Sequence, residues 1–147
     1  MGMTVSIDSL EDMCGLMCDN RLPVKKMKRI VPDAIYRGRP CSVVAVGCAA
    51  GISSTSGLEG LYSRLLRSDG YLSLRGMDAL VRANLAVLRR VDYRRGKRPV
   101  LRDWAHAHPG TKAVICVLGH YLYFDGKDYY SFLKNGGDEV VAVWELT

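Results

Sequence analysis

The spacing of hydrophobic and polar residues changes along the chain and predicts helices first and strands last. Apolar positions recur every three to four residues over 9–18 and 41–51 and in stretches that follow Ser56, Ser73 and Pro99. Strand-like patterns cover residues 85–91, 113–118, 121–124, 128–133 and 139–146. Such an order predicts an α+β class, with N-terminal helices packed on a C-terminal antiparallel sheet.

The helix that begins at Cys41 is apolar almost all round, which predicts that it is buried. Pro40 suits the start of this helix and Gly51 suits its end. At the next helix, Ser56 and Glu59 have the spacing of a capping box.

Local signals predict where other elements end. Asp69-Gly70 should stop the second helix, and Ser73 can cap the third. Asp125-Gly126 is a two-residue hairpin signal, and residues 135–137 form another predicted turn.

Length and composition suit one globular domain. The chain has 147 residues, of which 48% are hydrophobic. We expect a single domain over residues 1–147, with 1–36 as a possible N-terminal extension. No apolar run approaches the ~20 residues that span a bilayer, and the first residues do not resemble a secretory signal. The lack of such a run predicts no membrane contact. Five cysteines with no framework spacing favour reduced thiols in a cytoplasm.

The formal net charge is +6, and part of it is concentrated at residues 89–98, which hold six basic residues in ten. Within this predicted loop, arginine and tyrosine together suit phosphate contact and base stacking. Its candidate binding residues for nucleic acid or an acidic protein are Arg94, Arg95, Lys97 and Arg98. A solvated surface loop is the alternative interpretation.

The strongest chemical candidates are Cys41 and His120. A thiol at a helix N-terminus lies at the positive end of the helix dipole, which favours the thiolate. A histidine brought against it by the fold would complete a nucleophile and base pair, ready before any substrate arrives. The alternatives are a cysteine that only packs in the core and a histidine that is hydrogen-bonded within a sheet.

The other cysteines and histidines have simpler interpretations. Cys48 and Cys116 lie among apolar residues and are expected in the core. Cys14 and Cys18 are one helical turn apart, but no second pair completes a metal site. The spacing of His106 and His108 suits capping of a helix C-terminus. We therefore predict no metal site.

Several short motifs follow one another in an order that resembles a known family. Residues 48–52 end the buried helix, and residues 101–110 form a helix that runs into His-Pro-Gly. A strand, Gly119-His120, a second strand and Asp125-Gly126 follow. This order is similar to the papain-like cysteine peptidase fold in its small bacterial and phage form, including the peptidases that process bacteriocin leaders.

The resemblance implies a hydrolase in which Cys41 attacks a carbonyl and His120 transfers the proton, with a peptide or protein substrate and no cofactor. It places the histidine-orienting residue at Tyr130, so Asp128, on the same strand face, is the predicted orienting carboxylate, with Asp125 as the weaker candidate. Residues 33–40 contain no Gln or Asn for an oxyanion, which leaves that role to backbone amides. The alternative is an inactive binding module of the same fold that uses the basic loop.

Overall fold

The computed structural model describes residues 26–67 and 72–147. The predicted helix over 9–18 and the predicted stop at Asp69-Gly70 lie outside these residues. No helix in the described ranges is long and apolar enough to cross a membrane.

The described chain contains α-helices and β-strands in the predicted order, with one additional short strand near its start. The helices are α1 (Cys41–Ala50), α2 (Ser56–Leu65), α3 (Leu74–Asn84) and α4 (Leu101–Ala107). The strands are β1 (Arg29–Ile30), β2 (Val87–Asp92), β3 (Lys112–Val117), β4 (His120–Asp125), β5 (Tyr129–Tyr130) and β6 (Val140–Leu146).

The strands form one six-stranded sheet in the order β1-β5-β4-β3-β6-β2. The pairs from β5 through to β2 are all antiparallel, as expected. The short edge strand β1 instead runs parallel to β5, so the sheet is mixed. The class is α+β.

Both faces of the sheet are covered, which explains why β3 is apolar from residue 113 to its end. Val114 and Cys116 belong to a core shared with α1, α2 and α3, whereas Ala113, Ile115 and Val117 belong to a second core shared with α4. Successive side chains of a strand point to opposite faces. A central strand between two cores therefore needs apolar residues at every position rather than at alternate ones.

The predicted helix ends are confirmed at two places and shifted at a third. Gly51 ends α1 in the left-handed conformation at φ 66°, where its amide reaches the carbonyls of Cys48 and Gly47. Ser73 caps α3 by accepting a hydrogen bond from the Gly76 amide at 3.1 Å. At α2 the predicted N-cap residue, Ser56, lies one position after the observed one, Thr55.

The residue that precedes α2 is Thr55, and its hydroxyl donates to the Glu59 carboxylate at 2.6 Å. Ser56 is the first helical residue. The predicted capping box between Ser56 and Glu59 was therefore wrong, because Glu59 instead accepts the hydrogen bond from Thr55.

Two predicted loop and strand boundaries also differ. Strand β2 extends to Asp92, so Arg89 and Arg90, which the predicted strand 85–91 and the predicted loop 89–98 both included, are strand residues. Arg89 pairs with Glu145 on β6 at 3.1 Å, which supports this extension. Strand β5 covers only two of the six residues predicted at 128–133, because the chain leaves the sheet at Ser131.

The loop that leads into α1 packs closely on that helix through Tyr36. The Tyr36 hydroxyl donates to the Ile52 carbonyl at 3.1 Å. A β-carbon added to Gly47 would lie 2.5 Å from Cε1 of Tyr36. The absence of a side chain at this position therefore lets the loop lie against the helix.

We predict that Gly47→Ala lowers the free energy of unfolding by about 1–3 kcal/mol, because the new methyl group overpacks this contact. Gly60→Ala is the matched control, since a β-carbon there meets nothing within 4 Å. The control should raise stability by about 0.5–1 kcal/mol through helix propensity. Urea denaturation measures both. Equal stabilisation by the two substitutions would show that Tyr36 does not restrict Gly47.

Candidate active site

Cys41 and His120 line the same cavity, which has a volume of about 370 Å³. The cavity lies between the loop before α1, the start of α1, the start of β4 and the chain that leaves β5. Its lining residues are Arg37, Gly38, Arg39, Cys41, Val44, His120, Tyr121, Tyr130, Ser131 and Phe132. The structure therefore brings together the two residues that the sequence singled out.

Cys41 is the first residue of α1, directly after Pro40. Helix α1 packs against β4, because Val43 and Val46 are fully buried in the core beside the sheet. This packing sets the thiol against the backbone of Tyr121, the residue that follows His120. Burial of the apolar helix α1 against β4 thus places Cys41 next to the start of that strand.

The thiol of Cys41 is not a ready thiolate. Burial raises its pKa above the usual value, and the backbone amides of Tyr121, Ser42 and Cys41 only partly oppose this effect. The expectation that the helix start would favour the thiolate is therefore corrected: removal of the group from water outweighs the amide dipoles.

His120 is the first residue of β4 and follows a tight turn at Gly119, whose φ of 77° suits glycine. Its Nε2 atom lies 2.9 Å from the Ser131 hydroxyl oxygen. Ser131 is 1% exposed, so the imidazole is anchored to a rigid interior group. No hydrogen bond to its Nδ1 atom is found among the described residues.

Ser131 begins a chain of buried hydrogen bonds that leads away from the cavity. The Ser131 hydroxyl donates to Oδ1 of Asn135 at 2.7 Å, and Nδ2 of Asn135 donates to Oδ2 of Asp138 at 2.8 Å. The Asn135 backbone amide donates to the Tyr129 hydroxyl at 3.0 Å, which holds the amide side chain in place. Four residues from His120 to Asp138 therefore form one connected relay.

The relay fixes which nitrogen of His120 carries the proton. The Asp138 carboxylate can only accept, so the Asn135 amide nitrogen must face it and Oδ1 must face Ser131. Ser131 has one hydroxyl proton and gives it to Asn135, so its oxygen accepts from Nε2–H of His120. Neutral His120 therefore has its free lone pair on Nδ1, the nitrogen that the relay leaves available as a base.

Burial lowers the pKa of His120, and the negative charge of Asp138 acts in the opposite direction. The burial effect is the larger of the two. With the thiol pKa raised and the imidazole pKa lowered, Cys41 and His120 are both neutral at pH 7. The cavity therefore holds a neutral thiol and a neutral imidazole rather than a resting ion pair.

Asp128, predicted to orient His120, has a different partner. Its Oδ1 accepts from the Lys28 backbone amide at 2.9 Å, which ties the edge strand β1 to the sheet. Tyr130 donates to Oδ2 of Asp125 at 2.9 Å. Neither Asp128 nor Tyr130 is therefore bonded to the imidazole of His120. The structure thus puts Ser131 in the place that the sequence gave to Asp128.

The relay residues were missed because the sequence pattern for 128–133 favoured a strand and that for 135–137 an exposed turn. Ser131, Asn135 and Asp138 are small polar residues of a type common in loops. Burial distinguishes Ser131 and Asn135, which are 1% and 3% exposed, whereas Asp138 is half-buried. Burial of a loop asparagine depends on tertiary packing, for which this sequence carried no local signal.

The predicted binding residues lie away from the cleft. Arg94, Arg95, Lys97 and Arg98 follow strand β2, and Nε of Arg98 donates to the Tyr93 carbonyl at 3.4 Å. None of these four forms a carboxylate ion pair within the described part of the chain.

Cys116 and His108 match their simpler interpretations, Cys48 is less buried than the expected core position, and Cys14 and Cys18 lie outside the described residues. Cys116 is buried, and burial raises its pKa to about 12. Cys48 is half-buried with a pKa raised to about 11 by burial. His108 is stacked on Trp104 at the end of α4, with ring centroids 4.3 Å apart. The described residues contain no group of three or more His, Cys, Asp or Glu that could hold a metal ion.

Comparison with known proteins found no matching family model, no similar curated protein and no similar solved structure.

We predict that Asp138→Asn lowers the pKa of His120 further, because it removes the one charge that raises this pKa. An asparagine at 138 can still accept from Asn135 through its amide oxygen, so the relay geometry is kept. NMR titration of the imidazole measures the change.

Asp128→Asn is the matched control and should leave the pKa of His120 where it is, because Asp128 bonds to the Lys28 amide. The same spectra should show neutral His120 protonated on Nε2. A pKa that moves with Asp128 and not with Asp138 would restore the original assignment of the orienting carboxylate.

Proposed function

We propose that this protein is a cysteine-dependent hydrolase that acts by acyl transfer on a peptide or protein substrate, on a papain-like arrangement of Cys41 and His120. One observation carries the proposal. A cysteine at a helix start and a histidine with its free lone pair on Nδ1 line one cavity. A core cysteine and a core histidine would have no reason to share a cavity of this size.

The proposed reaction begins with transfer of the Cys41 proton to Nδ1 of His120 as the sulfur attacks the substrate carbonyl carbon. The tetrahedral intermediate then collapses, and the amine leaves with the proton returned by His120. A water molecule attacks the resulting thioester while Nδ1 accepts its proton. The carboxylic acid is released, and Cys41 regains its proton.

The first amides of α1 are the best candidates to stabilise the oxyanion. Pro40 precedes the helix and offers no side-chain cap, and the amides of Cys41 and Ser42 act on the Cys41 thiol, beside which a substrate oxygen would lie. Val44 is the first residue whose amide bonds back into the turn, to the Pro40 carbonyl at 3.0 Å. Backbone amides alone can supply this stabilisation.

The relay supports the proposed role of His120. When the imidazole takes a proton and becomes cationic, Nε2–H still has Ser131 as its acceptor, and the Asp138 carboxylate lies at the far end of the chain. The positive charge formed during attack is therefore partly balanced, although the resting histidine is neutral. Ser131, Asn135 and Asp138 act as positioning residues.

The cleft also carries positive charge at its rim. Arg37 and Arg39 flank Gly38 beside Cys41, and no carboxylate lines the cavity in the described residues. Arg39 is paired with Glu59 at 3.1 Å, whereas the Arg37 guanidinium lies 5.8 Å from the centre of the Phe132 ring. Arg37 is thus placed to contact a substrate that reaches Cys41.

We predict that p-nitrophenyl acetate, a general acyl donor, acetylates Cys41 selectively. His120→Gln should lower this rate by at least about 100-fold, because it removes the general base. Mass spectrometry of digested protein locates and quantifies the acetyl group.

Cys48→Ser is the control on the same helix and should leave Cys41 acetylation unchanged. Should Cys41 acetylate no faster than Cys48, with no effect of His120→Gln, the hydrolase proposal is wrong and Cys41 is only a packed core residue.

A second candidate function is nucleic-acid binding by the basic loop. In the part of the chain that is described, Arg89 and Arg90 are paired with carboxylates, but Arg94, Arg95 and Lys97 are exposed and form no ion pair. Exposed cations of this kind bind phosphates mainly through counterion release.

If this second function is correct, binding of a single-stranded oligonucleotide should weaken steeply as salt rises and should drop when Arg94 and Arg95 are both changed to Ala. A double change of Arg64 and Arg75 to Ala removes the same charge from two helices and serves as the control. Fluorescence anisotropy at several salt concentrations compares the three proteins. Equal losses in both double variants would mean that net charge, not the loop, attracts the nucleic acid.

A further inference from the structure

A second and larger cavity lies on the far side of strand β5 from the Cys41 cleft. Its volume is about 770 Å³, which is within the usual range of ligand sites. It is enclosed by the chain before β1, by helix α4 and by the turn between β4 and β5. Its lining residues are Lys26, Met27, Arg29, Arg102, Asp103, Ala105, His106, Pro109, Phe124, Gly126, Lys127, Tyr129 and Gly136.

We propose that this cavity binds an acidic peptide segment of another protein. The first argument is charge. Four permanently cationic residues face one carboxylate across the cavity: Lys26, Arg29, Arg102 and Lys127 against Asp103. Cations collected in a concave site attract an anionic ligand more strongly than the same cations spread over a surface.

Two of these cations have no ionic partner among the described residues. Within residues 26–67 and 72–147, neither Lys26 nor Arg102 forms an ion pair, and both are exposed. The charge of Lys127 interacts with the Asp125 carboxylate and helps to lower the pKa of that group. Lys26 and Arg102 lie on different elements that face each other, so one ligand could contact both.

Arg29 has a structural role in the same cavity. Its Nη1 donates to the carbonyls of Ser131 and Phe132 at 3.4 and 3.3 Å. These two residues also line the Cys41 cleft. Arg29 therefore adds charge to the cavity while it holds the wall between the two sites, and it is unsuitable as a test position.

The second argument distinguishes a peptide from a nucleic acid. Single-stranded nucleic acid binds by stacking its bases on exposed aromatic rings. Of the described rings that line this cavity, Phe124 and Tyr129 are only 1% and 5% exposed and offer no free face, which leaves only the small imidazole of His106 exposed. A run of stacked bases would need several such faces. Met27, Ala105 and Pro109 provide small aliphatic contacts instead. A peptide with carboxylate side chains separated by aliphatic ones would fit this combination of cationic and aliphatic lining residues.

The test measures binding of a fluorescein-labelled peptide of alternating glutamate and leucine to the full chain by fluorescence anisotropy. A peptide with glutamine in place of glutamate carries the same label and controls for apolar binding. A labelled thymidine oligonucleotide tests the nucleic-acid alternative. None of these measurements depends on acyl transfer, so the result is independent of the proposed hydrolase.

Changing both Lys26 and Arg102 to Gln should weaken binding of the glutamate peptide by at least about tenfold, the value of one charge-assisted hydrogen bond. Changing both Arg94 and Arg95 to Gln removes equal charge from the basic loop and should change binding by less than about twofold at 0.15 M salt, where distant charges are screened. Circular dichroism confirms that each variant is folded.

Four results would overturn the proposal. The glutamine peptide could bind as tightly as the glutamate peptide, or neither could bind. The two double variants could lose equal affinity, which would show attraction by net charge alone. The oligonucleotide could bind more tightly than the glutamate peptide and depend on Lys26 and Arg102, which would assign the cavity to nucleic acid.

Discussion

Burial of helix α1 against the sheet is the constraint on which the candidate site depends. Val43 and Val46 are inaccessible to solvent, and Gly47 lets Tyr36 hold the preceding loop against the helix. The helix cannot rotate or slide without exposing these groups, so its first residue has one position. That position is beside β4, one residue from His120. The same burial has a chemical consequence, because it removes the Cys41 thiol from water and raises its pKa.

The polar relay from His120 to Asp138 is the second fixed part of the site, and its direction comes from hydrogen-bond stoichiometry. One carboxylate that can only accept determines the orientation of one amide, one hydroxyl and one imidazole in turn. A single buried serine could orient a histidine in either tautomer. The asparagine and aspartate behind it remove that freedom. The relay therefore does more than hold the ring, since it selects the nitrogen that is free to accept a proton.

Much of the fold could be predicted from the sequence, because helices and strands here have different apolar periods. The start of α1 at Cys41 and its end at Gly51 were both readable from local signals. The strand β1 could not be predicted, because two residues carry no period and their pairing depends on the Asp128 contact with the Lys28 amide. The boundary between strand β2 and the basic loop was ambiguous at Arg89 and Arg90, because their charges suit a loop as well as a strand edge and their partners lie far along the chain on β6.

The site was predictable to the extent that it depends on element order. Cys41 and His120 stand at the starts of a helix and a strand, and packing of the two elements joins them. The third residue was not predictable in the same way. Counting along the strand led to Asp128 and Tyr130, but the chain leaves the sheet after Tyr130, and a side chain from the irregular segment reaches the imidazole instead. The geometry of the turn decides which residue reaches His120. Residues 131–138 determine that geometry only through contacts that form when the chain folds.

The two pKa shifts constrain how any reaction at Cys41 can proceed. A raised thiol pKa and a lowered imidazole pKa make the separated charges costly in the resting protein. Sulfur attack and proton transfer must therefore be coupled, since a free thiolate would be scarce at neutral pH. A substrate carbonyl held by the first amides of α1 would make this coupling favourable, because the negative charge would move from sulfur to an oxygen that those amides can stabilise. The positive charge would form on a histidine already connected to Asp138. If the proposed hydrolase is correct, such a site would be slow in simple thiol chemistry at rest and would react only when an acyl group occupies the cleft.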